Sequence, residues 1–133
     1  MPILIVSDPK TGTNQKIELE DARLRPLVGT RIGEVVDGAL ADMQGYKLKF
    51  TGGTDSDGVP MRPDVHGSAK SRVILSGGVG YKPKYKGQRK RVLVRGNTIS
   101  RETTFLNFRI QEAPKVKKKA EKTEPEPEAE KEE

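Results

Sequence analysis

The sequence predicts a mainly β domain of the α+β kind, a small six-stranded barrel-like body carrying one or two short helices. Three observations lead there. Short apolar or alternating runs recur through residues 1–113, separated by clusters of Gly, Pro and Asp. Only one longer segment has a helical period. Only 32% of the 133 residues are hydrophobic and 33% are charged, so the core is small, and closing a short sheet on itself removes its exposed edges.

Residues 3–6 (ILIV) form a continuous apolar run bounded by Asp8-Pro9, the pattern of a fully buried strand. The turn Lys10-Thr11-Gly12-Thr13 leads into residues 15–19, with Ile17 and Leu19 on one face and Lys16 and Glu18 on the other, which predicts a hairpin. A short helical turn follows Asp21, limited by Pro26. Ile32, Val35, Val36, Ala39 and Leu40 then fall at i, i+3, i+4, i+7 and i+8, the apolar stripe of a helix. Thr30 is placed to cap it and Gly45 to end it, although Gly33 and Gly38 weaken its propensity. Residues 46–50 alternate strictly. Residues 73–75, 92–94 and 104–111 supply three more strands, and in the last Leu106, Phe108 and Ile110 share a face.

After Ala113 the composition changes. Residues 114–133 hold one large aliphatic side chain, Val116, and no aromatic, too little to offset the entropy of ordering. The chain thus divides into a β-rich body, residues 1–113, and a Glu/Lys/Pro tail, residues 114–133, expected to be disordered. Lys117, Lys118 and Lys119 give the tail one cluster able to touch phosphate.

There is no cysteine, which excludes disulfides and cysteine-ligated zinc. No apolar run approaches the ~20 residues of a membrane span, and the N-terminal residues lack the features of a signal peptide. The expectation is a cytoplasmic protein without a membrane partner. Net charge is +6 and the isoelectric point is near 9.6, which favours a polyanionic partner. The excess belongs to the body, where 19 Lys/Arg face 12 Asp/Glu; the tail has 6 Lys and 7 Glu.

The charge concentrates in residues 82–95, where Lys82, Lys84, Lys86, Arg89, Lys90, Arg91 and Arg95 occur without one acid. Arg62, Lys70 and Arg72 lie upstream, with Asp64 the only intervening carboxylate. Such density suits phosphate contacts, which release condensed counterions. Tyr81 and Tyr85 offer flat faces to unpaired bases. Gly78, Gly80, Pro83 and Gly87 keep the segment irregular, so it can follow a folded RNA. The plainer reading, a solvated loop whose charges serve only solubility, fits poorly with seven cations in fourteen positions and no acid.

Two glycine-rich loops invite catalytic or ligand-binding readings. Residues 52–58 (GGTDSDG) contain a D-x-D-G core but lack the remaining calcium ligands, and they lack the spacing of a phosphate-binding loop. They read as a tight turn. In residues 76–80 the third glycine of a dinucleotide motif would fall at Pro83. His66 is the sole histidine and has no nucleophile or metal set beside it. No catalytic residue, metal, cofactor or small-molecule substrate is expected.

The run Gly52-Gly53-Thr54-Asp55-Ser56-Asp57-Gly58-Val59-Pro60-Met61 resembles the G-G-x-D-x-x-G-x-P-M element of the small-subunit ribosomal protein six family of archaea and eukaryotes, which is unrelated to the bacterial protein of that number. His66-Gly67, Arg72-Val73, Leu75-Ser76, Tyr81-Lys82-Pro83, residues 87–91 and Val94-Arg95-Gly96 follow in the family's order and spacing, and the likeness covers residues 2–111. It implies a structural constituent of the small ribosomal subunit, partnered by small-subunit ribosomal RNA and neighbouring small-subunit ribosomal proteins. It also implies a structural turn at Gly52, Gly53, Asp55, Gly58, Pro60 and Met61. Eukaryotic members carry a long basic extension with regulatory phosphoserines, whereas the last serine here is Ser100, so the chain looks like an archaeal short form. Competing expectations are a free RNA-binding regulator or translation factor and, resting on the two glycine-rich loops, a metal- or nucleotide-dependent enzyme.

Overall fold

A computed structural model describes residues 1–114. The expected tail, with its lysine cluster, lies outside the described residues apart from Pro114. Seven strands are present: β1 Ile3–Asp8, β2 Thr13–Glu18, β3 Val35–Asp37, β4 Lys47–Asp55, β5 Lys70–Leu75, β6 Lys90–Arg95 and β7 Thr103–Glu112. One short helix, α1 Asp21–Leu24, runs into a 3₁₀ turn Arg25–Leu27, and a second 3₁₀ turn spans Gly38–Ala41. No helix among the described residues is long and apolar enough to cross a membrane.

The mainly β reading holds, with two corrections to its architecture. The strands form two open sheets rather than a six-stranded barrel: a five-stranded sheet in the order β2-β1-β7-β4-β3 and a two-stranded ribbon, β5-β6. Closure fails because β5 and β6 pair only with each other. They join the larger sheet through isolated bridges, Thr54 with Pro60 and Met61 with Arg95. The second correction concerns the helix expected around residues 32–40, which instead contains β3. Val36 is half-buried while its neighbours Val35 and Asp37 are exposed, a period of two. Gly33 sits at φ +98°, outside helical geometry, and its N–H donates to the Phe50 carbonyl at 2.8 Å. Two β-branched residues, Val35 and Val36, favour the extended pairing with β4.

The hairpin and the Leu106, Phe108, Ile110 face are found as expected. β1 pairs antiparallel with β2 and parallel with β7. One face of the large sheet buries Leu4, Val6, Leu48, Phe50, Leu106 and Phe108 against Leu19, Leu24, Leu27, Ala41, Met61 and Ile99. Phe50 and Phe108 lie directly opposite each other, with ring centroids 5.1 Å apart and tilted by 40°. β1 is buried on that side only. Ile3 and Ile5 are half-buried, because no described element covers the outer face.

Candidate nucleic-acid interface

The family-like turn binds the ribbon to the large sheet. Register shifts in β4 between Phe50 and Gly52, and again between Thr54 and Asp55, turn Gly53 and Asp55 inward. Gly53 lies so close to the Phe105 carbonyl that a Cβ would collide with backbone, and the Met61 sulfur packs against the same spot. The chain then folds back: the Met61 N–H donates to the Gly53 carbonyl at 3.0 Å, and the Arg95 N–H donates to the Pro60 carbonyl at 2.9 Å. β6 is thereby tied to β4 through main-chain hydrogen bonds of the turn.

Beneath this turn, the Asp55 carboxylate is only 2% exposed. It accepts hydrogen bonds from the Arg95 guanidinium and from the Ser56 N–H (2.7 Å), and Lys70 Nζ lies 2.9 Å away. Burial pushes its pKa up, but Lys70, the Ser56 N–H and Arg95 together outweigh burial and hold the carboxyl below its ordinary value. Arg95 also reaches Ser100 Oγ (2.7 Å) and Glu102 (3.0 Å). Lys70 pairs in addition with Asp57, and hydrogen bonds to Asp57 and then Asp55 raise its pKa. The loop with the calcium-like D-x-D-G core therefore has its buried carboxylate, Asp55, committed to two internal cations.

Three of the cations expected to face RNA are engaged in this way. Arg95 is 4% exposed and points into the protein, a correction to its place in the basic stretch. Its reason is that β6 ends at the turn and faces Asp55. Lys70 is held by Asp55 and Asp57. Arg62 pairs with Asp64 at 2.8 Å and donates to the Val79 carbonyl at 2.5 Å, propping up the loop of residues 76–80. Tyr81 is half-buried and its hydroxyl is turned inward without a protein partner among the described residues.

The remainder lie exposed along the ribbon and its loop. Arg72, Lys82, Lys84, Lys86, Arg89, Lys90 and Arg91 are exposed, and none forms an ion pair among the described residues. Tyr85 is 67% exposed at the loop tip, in a turn closed by the Lys84 N–H donating to Gln88 Oε1 at 2.8 Å. Strand register adds two residues that the sequence alone did not single out. Arg72 stands opposite Leu93 and Ile74 opposite Arg91, so the outer face of the ribbon alternates cation and aliphatic. Ile74 is 61% exposed and Leu93 38%. The signal for them was present in the alternation of residues 70–75 and 90–95, but it becomes legible only once the register is known. His66 is exposed beside a main-chain clamp in which the Asn97 N–H donates to the Val65 carbonyl at 2.9 Å.

The molecule thus presents a two-stranded ribbon with an exposed cationic, partly aliphatic face and a basic loop, tied down by a glycine- and aspartate-dependent turn. A family model described as "Ribosomal protein S6e" matches residues 3–121. The chain belongs to this family. It is 53% identical to "Small ribosomal subunit protein eS6" of Methanocaldococcus jannaschii over 108 residues, which are 81% of this chain and 80% of that protein. To the protein of the same description from Archaeoglobus fulgidus it is 47% identical over 114 residues, 85% of this chain and 88% of the other. The Methanocella arvoryzae protein so described is 45% identical over 107 residues, 80% and 75% of the two chains. As a member of a ribosomal protein family, the chain is a structural component and not an enzyme.

Proposed function

We propose that the chain is a structural constituent of the small ribosomal subunit in the cytoplasm, where the ribbon β5-β6 and its connecting loop hold small-subunit ribosomal RNA and neighbouring small-subunit proteins complete its surroundings. The single observation that carries this is the run of seven exposed cations, unpaired among the described residues, on one ribbon and loop: Arg72, Lys82, Lys84, Lys86, Arg89, Lys90 and Arg91. Phosphates supply the matching charge, and Tyr85 offers its ring to an unpaired base. Arg62, Lys70 and Arg95 serve this surface indirectly, by fixing the loop and ribbon that carry it. The turn residues Gly52, Gly53, Asp55, Gly58, Pro60 and Met61 have the same positioning role. Residues 1–113 act as one RNA-binding body in this reading, with residues 114–133 as a separate tail.

Sedimentation of a native extract tests the assignment. The chain should travel with the small subunit and leave it only at salt high enough to strip RNA-bound proteins. A chain found near the top of the gradient at moderate salt would instead be a free RNA-binding factor.

A further inference from the structure

The large sheet carries a second cationic site that shares no residue with the ribbon or its loop. Lys49 on β4 and Arg109 on β7 stand directly opposite each other across the ladder, on the outer face left open by the described residues. Like charges in opposed positions destabilise a sheet. Nothing in the described protein relieves them, because neither side chain forms an ion pair among the described residues. Beside them opens a cleft of about 350 Å³, lined also by Lys10 from the β1-β2 turn and by Tyr46. Asp8 is the one carboxylate in the lining. Its Oδ1 accepts the Lys10 main-chain N–H at 2.9 Å, and it neutralises none of the three cations.

Three cations around a concave site, two of them opposed at a cost to the fold, call for an anion from outside. The cleft is small, at the lower end of the ~300–1,000 Å³ typical of ligand sites, which suits one nucleotide rather than a helix. We infer that this cleft takes a single nucleotide of an unpaired RNA segment, with its phosphate between Lys49 and Arg109 and its base or sugar towards Tyr46. The chain then grips RNA through both of its sheets and bridges two segments of it. This rests on the RNA-binding function proposed above and adds a second, independent contact to it.

The test compares the salt dependence of binding to in-vitro-transcribed small-subunit ribosomal RNA for the full chain and two variants. Lys49→Gln with Arg109→Gln should lower the log-log slope by about 0.7, the increment for the one single-strand phosphate held between them. The melting temperature of the RNA-free protein should stay the same or rise, because a like-charge pair has been removed. Lys10→Gln, on an exposed turn at the rim of the same phosphate site, should lower the slope by part of that ~0.7 and carries the test if the double variant does not fold. An unchanged slope in these variants, alongside a reduced slope in Lys84→Gln/Arg89→Gln/Arg91→Gln, would overturn the second site and leave the ribbon reading intact. Unchanged slopes in every variant would overturn the RNA-binding function itself.

Discussion

Replacing Asp55 with Asn isolates the buried charge network from the RNA surface. The substitution keeps shape and one acceptor for the Ser56 N–H but removes the charge that compensates Arg95, whose side chain is 5% exposed. Breaking a buried ion pair by removing one partner costs about 3–5 kcal/mol. The lower end applies here, because Arg95 keeps Ser100 and the exposed Glu102 as partners. A loss of about 3 kcal/mol corresponds to roughly 10 °C or more in melting temperature for a domain of this size. Urea unfolding should show a lower midpoint with an unchanged m-value. Adding Arg95→Met should cost less than the sum of the two single changes, because the double variant leaves no uncompensated guanidinium. At temperatures where Asp55→Asn is folded, its salt slope for RNA binding should match the unsubstituted protein. A loss below about 1 kcal/mol, or a shallower slope, would refute the assignment of Asp55 and Arg95 to architecture.

Further outcomes follow from the same geometry. Gly53→Ala drives a methyl group into the Phe105 carbonyl and should cost about 1–3 kcal/mol, read as a lowered unfolding midpoint. Phe108→Ala, which removes a core ring packed at a tilt against Phe50, should cost about 3–5 kcal/mol by the same assay. The lowered pKa of Asp55 means its contribution is complete above the ordinary carboxylate value near ~4 and is lost as pH falls through the lowered value. Acid unfolding of the unsubstituted protein should therefore lose this increment below about pH 4, and the Asn variant should lack it. Ile74→Ser, on the exposed ribbon face, should leave stability within about 0.5 kcal/mol, measured by urea unfolding.

Strand periodicity was readable wherever one face is buried, as in residues 15–19 and 104–111, because burial forces alternate residues apart. It misled at residues 32–40, where half-buried Ile32, Val36 and Leu40 happen to fit a helical stripe while the backbone at Gly33 does not. The basic stretch was legible as charge, yet direction was not. Arg91 and Arg95 lie four residues apart on one strand, and only the turn through Asp55 draws Arg95 inside. Lys49 and Arg109 were invisible as a pair, since 60 residues of sequence separate two side chains that the β4-β7 register sets side by side. The non-closure of the sheets was equally hidden. Composition favours covering edges but does not say which strands pair.

Whether the exposed cations of the ribbon and loop hold RNA phosphates is read from the salt dependence of binding for Lys84→Gln/Arg89→Gln/Arg91→Gln. All three residues are exposed and lie outside the ion pairs of the described residues, so the variant should fold as the unsubstituted chain does. The log-log slope for small-subunit ribosomal RNA should fall by about 2–2.7, at ~0.7–0.9 for each phosphate the variant no longer neutralises. A folded triple variant whose slope equals that of the unsubstituted protein would mean that these cations do not hold RNA phosphates.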